Sequence, residues 1–256
     1  MPLLNRNGVH IYYEVHGTGP AVLLTHGYSA TAAMWRPNLA ALSQRYRLIL
    51  WDMRGHGESD SPDDPAAYSE EATIGDMAAL LDAHGVEQAV IGGLSLGGYM
   101  SLAFHLAHPG RVRALMLFDT GPGYKKDEAR AGWNQRAEAT ARAFETRGLA
   151  ALGRGAEVLA SSHRSAQGLA HAARGMLAQR DARVINALDA ITVPTLVLAG
   201  AKDEPFLAAT EYMAGKIPGA TKVIIPDAGH AANIDQPEAF NEGVLAFLRR
   251  VSDGGF

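Results

Sequence analysis

Gly93-Leu94-Ser95-Leu96-Gly97, followed by Gly98, is the stretch that decides how this chain reads. A short apolar run, Gln88 to Gly92, precedes it and reads as a strand. Leu96 to Ala107 follows it, apolar and helical, and closes at His108-Pro109-Gly110. A G-x-S-x-G pattern between a strand and a helix is the pattern of a nucleophile elbow. The reason is steric. The sharp turn holds the serine in a strained backbone conformation and brings neighbouring chain close to Gly93 and Gly97, where side chains would clash. It lifts the Ser95 hydroxyl above the sheet edge and points the backbone N–H of Leu96, at a helix N-terminus, toward a reacting carbonyl oxygen. The bland alternative is a Gly-rich turn with a capping serine.

Outward from this point, strand and helix signals alternate. Upstream, Val9 to Val15, Ala21 to Thr25 and Tyr46 to Trp51 read as strands, the last two apolar enough to be buried on both faces. Gly17-Thr18-Gly19-Pro20 is a turn, and Asp52 to Pro65 is loop. Thr31 to Ser43 reads as a helix whose first half Pro37 limits. Ser69 to His84 reads as a helix with Ile74, Met77, Leu80 and Leu81 on one face, stopped by Gly85. Downstream, Val112 to Phe118, Thr195 to Ala199 and Thr221 to Ile225 read as strands, and Pro205 to Lys216 and Glu238 to Val251 as helices. Such alternation predicts an α/β fold, a mostly parallel sheet with helices on both faces. Tyr124 to Asn186 breaks the pattern. It is rich in Ala, Arg, Glu and Gly, and reads as a helical insertion of several short helices, because Gly148, Gly153, Gly155, Gly168 and Gly175 punctuate it. The expected division is a core of residues 1–122 and 187–256 with an insertion at 123–186. Ser252 to Phe256 reads as a loose tail.

The 256 residues carry a net charge of −4, so no whole-molecule field draws in nucleic acid. There is no cysteine, which removes disulfides, thiolate catalysis and Cys-based zinc sites. The N-terminus, Met1-Pro2-Leu3-Leu4-Asn5-Arg6-Asn7-Gly8, shows no basic leader with an apolar run, and no segment approaches the roughly 20 apolar residues of a membrane helix. The expectation is a soluble, cytoplasmic protein without nucleic-acid or membrane partners.

Four further motifs carry chemistry. Thr25-His26-Gly27-Tyr28 follows the second strand. Asp52-Met53-Arg54-Gly55-His56-Gly57-Glu58-Ser59 follows the third. Gly200-Ala201-Lys202-Asp203 and Ala228-Gly229-His230 follow the last two strands. With the elbow, these motifs resemble the α/β-hydrolase fold superfamily from about Val9 to Val251. The resemblance is closest to its small serine esterases, enol-lactone hydrolases and cofactor-free haloperoxidase-like members. It implies a triad of Ser95 as nucleophile, His230 as base and Asp203 as the acid that orients the histidine, in the chain order of that fold. It also implies that the Tyr28 N–H is a second oxyanion donor beside Leu96. His26 and His56 would be structural. Asp119, at the end of Val112 to Phe118, is a rival acid, and Glu204 adjoins Asp203.

In the resemblance the insertion is a lid that shapes the pocket and excludes water. Trp133, Phe144, Met176 and Leu177 are candidates to line it, each equally able simply to pack the lid. Trp35 and Met100 could touch substrate or belong to the core. The Arg content of the lid fits an anionic substrate or, more simply, a solvated face. His84, His105, His108, His163 and His171 read as helix or surface residues without metal-ligand spacing. The expected reaction is hydrolysis of a small-molecule ester or lactone through an acyl-enzyme, with no metal and no cofactor. Carbon–carbon bond hydrolysis and a triad-retaining ligand receptor are the alternatives, and oligomeric state is open.

Overall fold

The computed structural model describes residues 2–255. Eight strands occur along the chain: β1 (Leu3–Arg6), β2 (Val9–His16), β3 (Ala21–Thr25), β4 (Arg47–Trp51), β5 (Ala89–Leu94), β6 (Val112–Phe118), β7 (Thr195–Gly200) and β8 (Thr221–Ile225). They form one sheet in the order β1-β2-β4-β3-β5-β6-β7-β8. The β1–β2 and β2–β4 pairs are antiparallel and the rest parallel. The helices are α1 (Arg36–Leu42), α2 (Glu70–Ala83), α3 (Leu96–Ala107), α4 (Asp127–Arg147), α5 (Ala156–Leu159), α6 (Ala166–Ala172), α7 (Arg183–Asn186), α8 (Glu204–Lys216), α9 (Ala232–Asp235) and α10 (Pro237–Ser252).

Strand side chains alternate between faces, and each face has its own core. Leu23, Ile49, Ile91, Leu115, Leu117 and Val197 pack with Met77, Leu80 and Leu81 of α2, Met100 and Phe104 of α3, and Met213 of α8. Their sequence neighbours Val22, Leu24, Leu48, Leu50, Val90, Met116, Leu196 and Leu198 pack on the other face with Leu42 of α1 and Phe240, Val244 and Phe247 of α10. All residues of β3, β5 and β7 are buried, which explains why they read as apolar runs rather than alternating strands.

Several boundaries differ from the sequence reading. An additional strand, β1, pairs with β2 through the turn Asn7-Gly8, whose positive φ values of 56° and 89° mark a tight hairpin. The helix expected over Thr31 to Ser43 is a 3₁₀ turn at Ala32–Trp35 followed by α1, with Pro37 in the first turn, where its missing N–H costs no bond. β5 runs on to Leu94, into the elbow motif. Between β6 and β7 lie α4 to α7 with two 3₁₀ turns and one π turn. The expectation of only short helices there fails for α4, which runs 21 residues until Gly148, at φ 61°, ends it. α10 extends to Ser252, so the tail is shorter than expected. Met1 and Phe256, included in the terminal readings, lie outside the described residues. Among the described residues no helix is long and apolar enough to cross a membrane.

Candidate active site

β5 ends at Leu94 and α3 begins at Leu96, leaving Ser95 alone at the corner with φ 55° and ψ −116°. A non-glycine residue in that region is strained by about 1–3 kcal/mol, and its surroundings hold it there. The Ser95 N–H donates to the Phe118 carbonyl at 2.9 Å. The Ser95 carbonyl accepts from Thr120 Oγ1 at 2.6 Å. The flanking glycines are required by close approach: a Cβ on Gly93 would lie 2.5 Å from the Gly97 carbonyl carbon, and one on Gly97 would collide with the Thr25 carbonyl oxygen.

The loop after β3 passes the same corner, since a Cβ on Gly27 would lie 3.4 Å from Ser95 Cβ. Tyr28 follows, and Ser29 turns left-handed at φ 55°. Among the described residues, neither the Tyr28 N–H nor the Leu96 N–H donates to another protein group. The phenol of Tyr28 donates to the Leu169 carbonyl in α6 at 2.7 Å, tying this loop to the insertion.

Three neutral histidines brace it. His26 bonds the Gly27 carbonyl at 2.7 Å through Nδ1 and accepts the Met53 N–H at 2.9 Å through Nε2. His56 bonds the Arg54 carbonyl through Nδ1 and accepts the Ser29 N–H through Nε2 at 3.2 Å. His163, from the insertion, accepts the Gly57 N–H through Nδ1 and bonds the Ser29 carbonyl through Nε2 at 3.0 Å. Burial holds all three below the ordinary histidine range, His26 at about 3. His26 and His56 are thus placed as structural groups. His163 was read as a helix or surface residue, and its lone position in the sequence gives no hint of this bracing.

At the next sheet positions, Asp203 lies just after β7 and His230 just after β8. His230 Nδ1 lies 2.8 Å from Asp203 Oδ2, and Asp203 is almost fully buried. Burial pulls His230 down, but the hydrogen bond and charge of Asp203, with the charges of Asp119 and Glu157, outweigh it and leave the imidazole above its ordinary value. Asp119 also ends near this pair, fully buried and at φ 44°. Its Oδ1 accepts the Gly200 N–H at 2.7 Å, and its carboxyl lies beside that of Asp203. Burial pushes its carboxyl up to about 8, and the nearby Asp203 charge adds to that. Among the described residues no hydrogen bond joins Ser95 Oγ to His230. Catalytic hydrogen bonds commonly tighten only once substrate is bound.

Ser95 and Leu96 open onto a cavity of about 250 Å³, lined also by Tyr99, Gly123, Tyr124, Trp133, Leu177, Gln179 and Phe206. Phe206 stacks on the His230 ring at 5.0 Å, so the cavity, the serine and the histidine are contiguous. Of the expected pocket residues, Trp133 and Leu177 are in the wall, with Trp133 Nε1 donating to the Leu177 carbonyl at 2.8 Å. Trp35 is not. It is buried against Phe118 and Phe240 beneath the sheet, because the 3₁₀ turn carrying it packs under α10 rather than over the elbow. Met100 and Met176 belong to the core, and Phe144 packs in a small cluster with Ala141, Leu169 and Ala173. Among the described residues no arginine lines the cavity. Four arginines of the insertion are paired elsewhere: Arg174 with Glu138 and Glu145, Arg180 with Glu71, Arg183 with Glu70, and Arg164 with Glu58. Among the described residues no group of three or more His, Asp or Glu side chains is placed to hold a metal.

Comparison with known proteins identifies the family and the fold. A family model for the alpha/beta hydrolase fold matches residues 20–154. The chain is 29% identical to 3-oxoadipate enol-lactonase 1 of Acinetobacter baylyi, with 97% of each chain covered. Its structure is similar to that of an enol-lactonase from Burkholderia xenovorans (TM-score 0.79, 28% identity, 97% of this chain and all of the other). It is similar also to a thermophilic esterase from Thermogutta terrifontis (TM-score 0.79, 31% identity, 97% of each chain).

Proposed function

We propose that this chain, which belongs to the alpha/beta hydrolase fold family, is a serine hydrolase of carboxylic esters or lactones. The observation that carries the proposal is the strained Ser95 at the mouth of an apolar cavity, contiguous through Phe206 with the His230–Asp203 pair. The names of its relatives, enol-lactonase and esterase, support the same bond type.

Serine is a weak nucleophile near neutral pH and needs a base. His230 takes the Ser95 proton as Oγ attacks the carbonyl carbon. Asp203 fixes the tautomer with the proton on Nδ1 and stabilises the imidazolium that forms. The N–H groups of Tyr28 and Leu96 receive the oxyanion, and removing one such donor typically costs 10² to 10³ in kcat. His230 then protonates the leaving alcohol, or the enolate of an enol lactone, and activates water to release the acyl group. Acyl transfer of this kind requires no cofactor. Residues 123–186 act as a lid: Trp133, Leu177 and Gln179 wall the acyl pocket, and His163 and Leu169 hold the oxyanion loop from above.

The test is hydrolysis of p-nitrophenyl esters of increasing acyl length by wild type and Ser95→Ala, with mass spectrometry of the protein after mixing. The reading expects Ser95-dependent turnover and a mass increase equal to the acyl group. Equal rates for the two proteins overturn it.

A further inference from the structure

The corner after β6 touches both halves of the proposed machinery. The Phe118 carbonyl accepts the Ser95 N–H at 2.9 Å, and Thr120 Oγ1 donates to the Ser95 carbonyl at 2.6 Å. Asp119, between them, serves the neighbouring strand. Its N–H donates to the Leu198 carbonyl at 2.9 Å, and its Oδ1 accepts the Gly200 N–H at 2.7 Å. Its φ of 44° is left-handed, a conformation that Asn and Asp adopt more readily than other non-glycine residues. So held, the carboxyl lies beside that of Asp203 and also faces the His230 imidazole. Its second oxygen, Oδ2, is buried and meets no N–H or hydroxyl donor among the described residues.

Asp203 has the matching need. α8 begins at Glu204 without a capping bond from the Asp203 side chain, and among the described residues the donor that reaches its carboxylate is His230 Nδ1. A carboxylate held by the ring alone turns with the ring, and a working constellation needs a second contact to lock it. Asp119 is 0% exposed and Asp203 5%. Two carboxyls brought together in so dry a place do not both ionise, so the pair keeps one proton. That proton belongs on Asp119. It is the deeper of the two, and the charge left on Asp203 then lies against the imidazole. Burial pushes the Asp119 carboxyl up to about 8, reinforced by Asp203 and opposed by the Gly200 N–H and His230. Glu157, from α5, adds a further negative charge that acts on His230.

We propose that Asp119 is a positioning residue: as a neutral acid it donates a hydrogen bond to the Asp203 carboxylate and fixes the side that Asp203 turns to His230. The pair then presents one negative charge to the imidazole instead of two, and it titrates as a pair. An amide at position 119 can do the same work, with an oxygen for the Gly200 N–H and an N–H for Asp203. An ionised Asp119 cannot, because it still accepts from Gly200 but repels Asp203. The effect on catalysis rests on the serine-hydrolase reading, whereas the proton on Asp119 stands apart from it.

The experiment has a spectroscopic and a kinetic arm. Infrared spectra are recorded at pH 7 on wild type and Asp119→Asn, each carrying ¹³C in the aspartate side-chain carboxyls. The expected result is the carbonyl stretch of a protonated acid in wild type, missing from Asp119→Asn and fading as pH rises through about 8. A wild-type minus Asn difference that shows carboxylate bands alone at pH 7 overturns the proposal, whether or not any ester is turned over. The kinetic arm follows p-nitrophenyl ester hydrolysis by wild type, Asp119→Asn and Asp119→Ala from neutral into alkaline pH, with spontaneous hydrolysis subtracted. Wild type should lose kcat as Asp119 ionises, with a midpoint near 8, while Asp119→Asn holds its kcat over the same range. At pH 7 Asp119→Asn should stay within about tenfold of wild type. Asp119→Ala, which offers Asp203 no donor, should fall about a hundredfold in kcat with little change in KM, the scale of a slightly misplaced catalytic group. An aspartate that only props the Gly200 loop would give wild type and Asp119→Asn the same alkaline limb, and that result overturns the proposal even if Asp119→Ala does not fold. Absence of Ser95-dependent turnover in every protein sinks the reaction reading, and the infrared arm then decides the proton by itself.

Discussion

His230 Nδ1 and Asp203 Oδ2 lie 2.8 Å apart, while Asp119, the rival carboxylate, spends one oxygen on the Gly200 N–H. In the proposed triad the orienting role falls to the carboxylate that touches the ring. Replacing it with an amide favours the wrong tautomer, so Asp203→Asn should lower kcat by about 10⁴. Asp119→Asn keeps an acceptor for Gly200 and should cost less than about tenfold. The opposite ranking in steady-state kinetics would move the acid to Asp119.

The same contact sets the pH profile. A general base works only when unprotonated, and His230 is held above the ordinary histidine value. Activity should therefore fall on the acid side as pH drops through a midpoint above 6.5. Removing the Asp203 charge leaves burial, which pulls the imidazole down, opposed only by Asp119 and Glu157. The residual activity of Asp203→Asn should then show its acid limb at lower pH. A kcat/KM profile of both proteins checks this, and an unmoved limb would mean that Asp203 does not set the His230 proton affinity.

Ser95 stores strain at φ 55° and ψ −116°, and the hydroxyl does not relieve it. Ser95→Ala keeps the strained Cβ and should melt close to wild type while turnover falls by about 10⁴ to 10⁶. Ser95→Gly removes the penalty of about 1–3 kcal/mol, partly offset by the about 0.5–1 kcal/mol that glycine loses in folding. It should melt above Ser95→Ala by a few degrees, at roughly 2–4 °C per kcal/mol. If the glycine variant melts lower, the corner is not strained in the sense its dihedrals imply.

The positions of Ser95, Asp119, Asp203 and His230 at or shortly after strand ends were legible because each follows a run that reads as a strand, where the pattern is short-range. β1 was not, because Leu3–Arg6 is short and mostly exposed and carries little apolar alternation. The Asn7-Gly8 hairpin signal was the available cue. Trp35 was misplaced because a tryptophan near the oxyanion loop looks the same in sequence whether it faces the cavity or α10. The places of Gln179 in the cavity wall and of His163 against the loop after β3 escaped for a shared reason. They depend on contacts with Asn134, Ser29 and Gly57, 45 to 134 residues away, and no local period encodes such contacts.

His163 gives the most direct test of that long-range design. It bonds the carbonyl of Ser29 while His56 accepts the Ser29 N–H, so two rings hold the residue that follows Tyr28. If the Tyr28 N–H is an oxyanion donor as proposed, loosening this brace lets it wander from that position, a loss felt in the transition state more than in substrate binding. His163→Ala should lower kcat about tenfold with KM changed less than about twofold, whereas an insertion residue that merely packs would shift KM or stability alone. Stability should carry a second mark. His26, His56 and His163 are all depressed by burial, so the unfolded chain binds protons at these sites near pH 6.5 before the folded one does. Their contribution is fully present above pH 6.5 and is lost as pH falls through the depressed values. Urea unfolding at pH 7 and pH 5 should show wild type losing more stability than His163→Gln over that interval. Equal losses would mean that His163 is already charged in the fold, and the brace would not work as drawn.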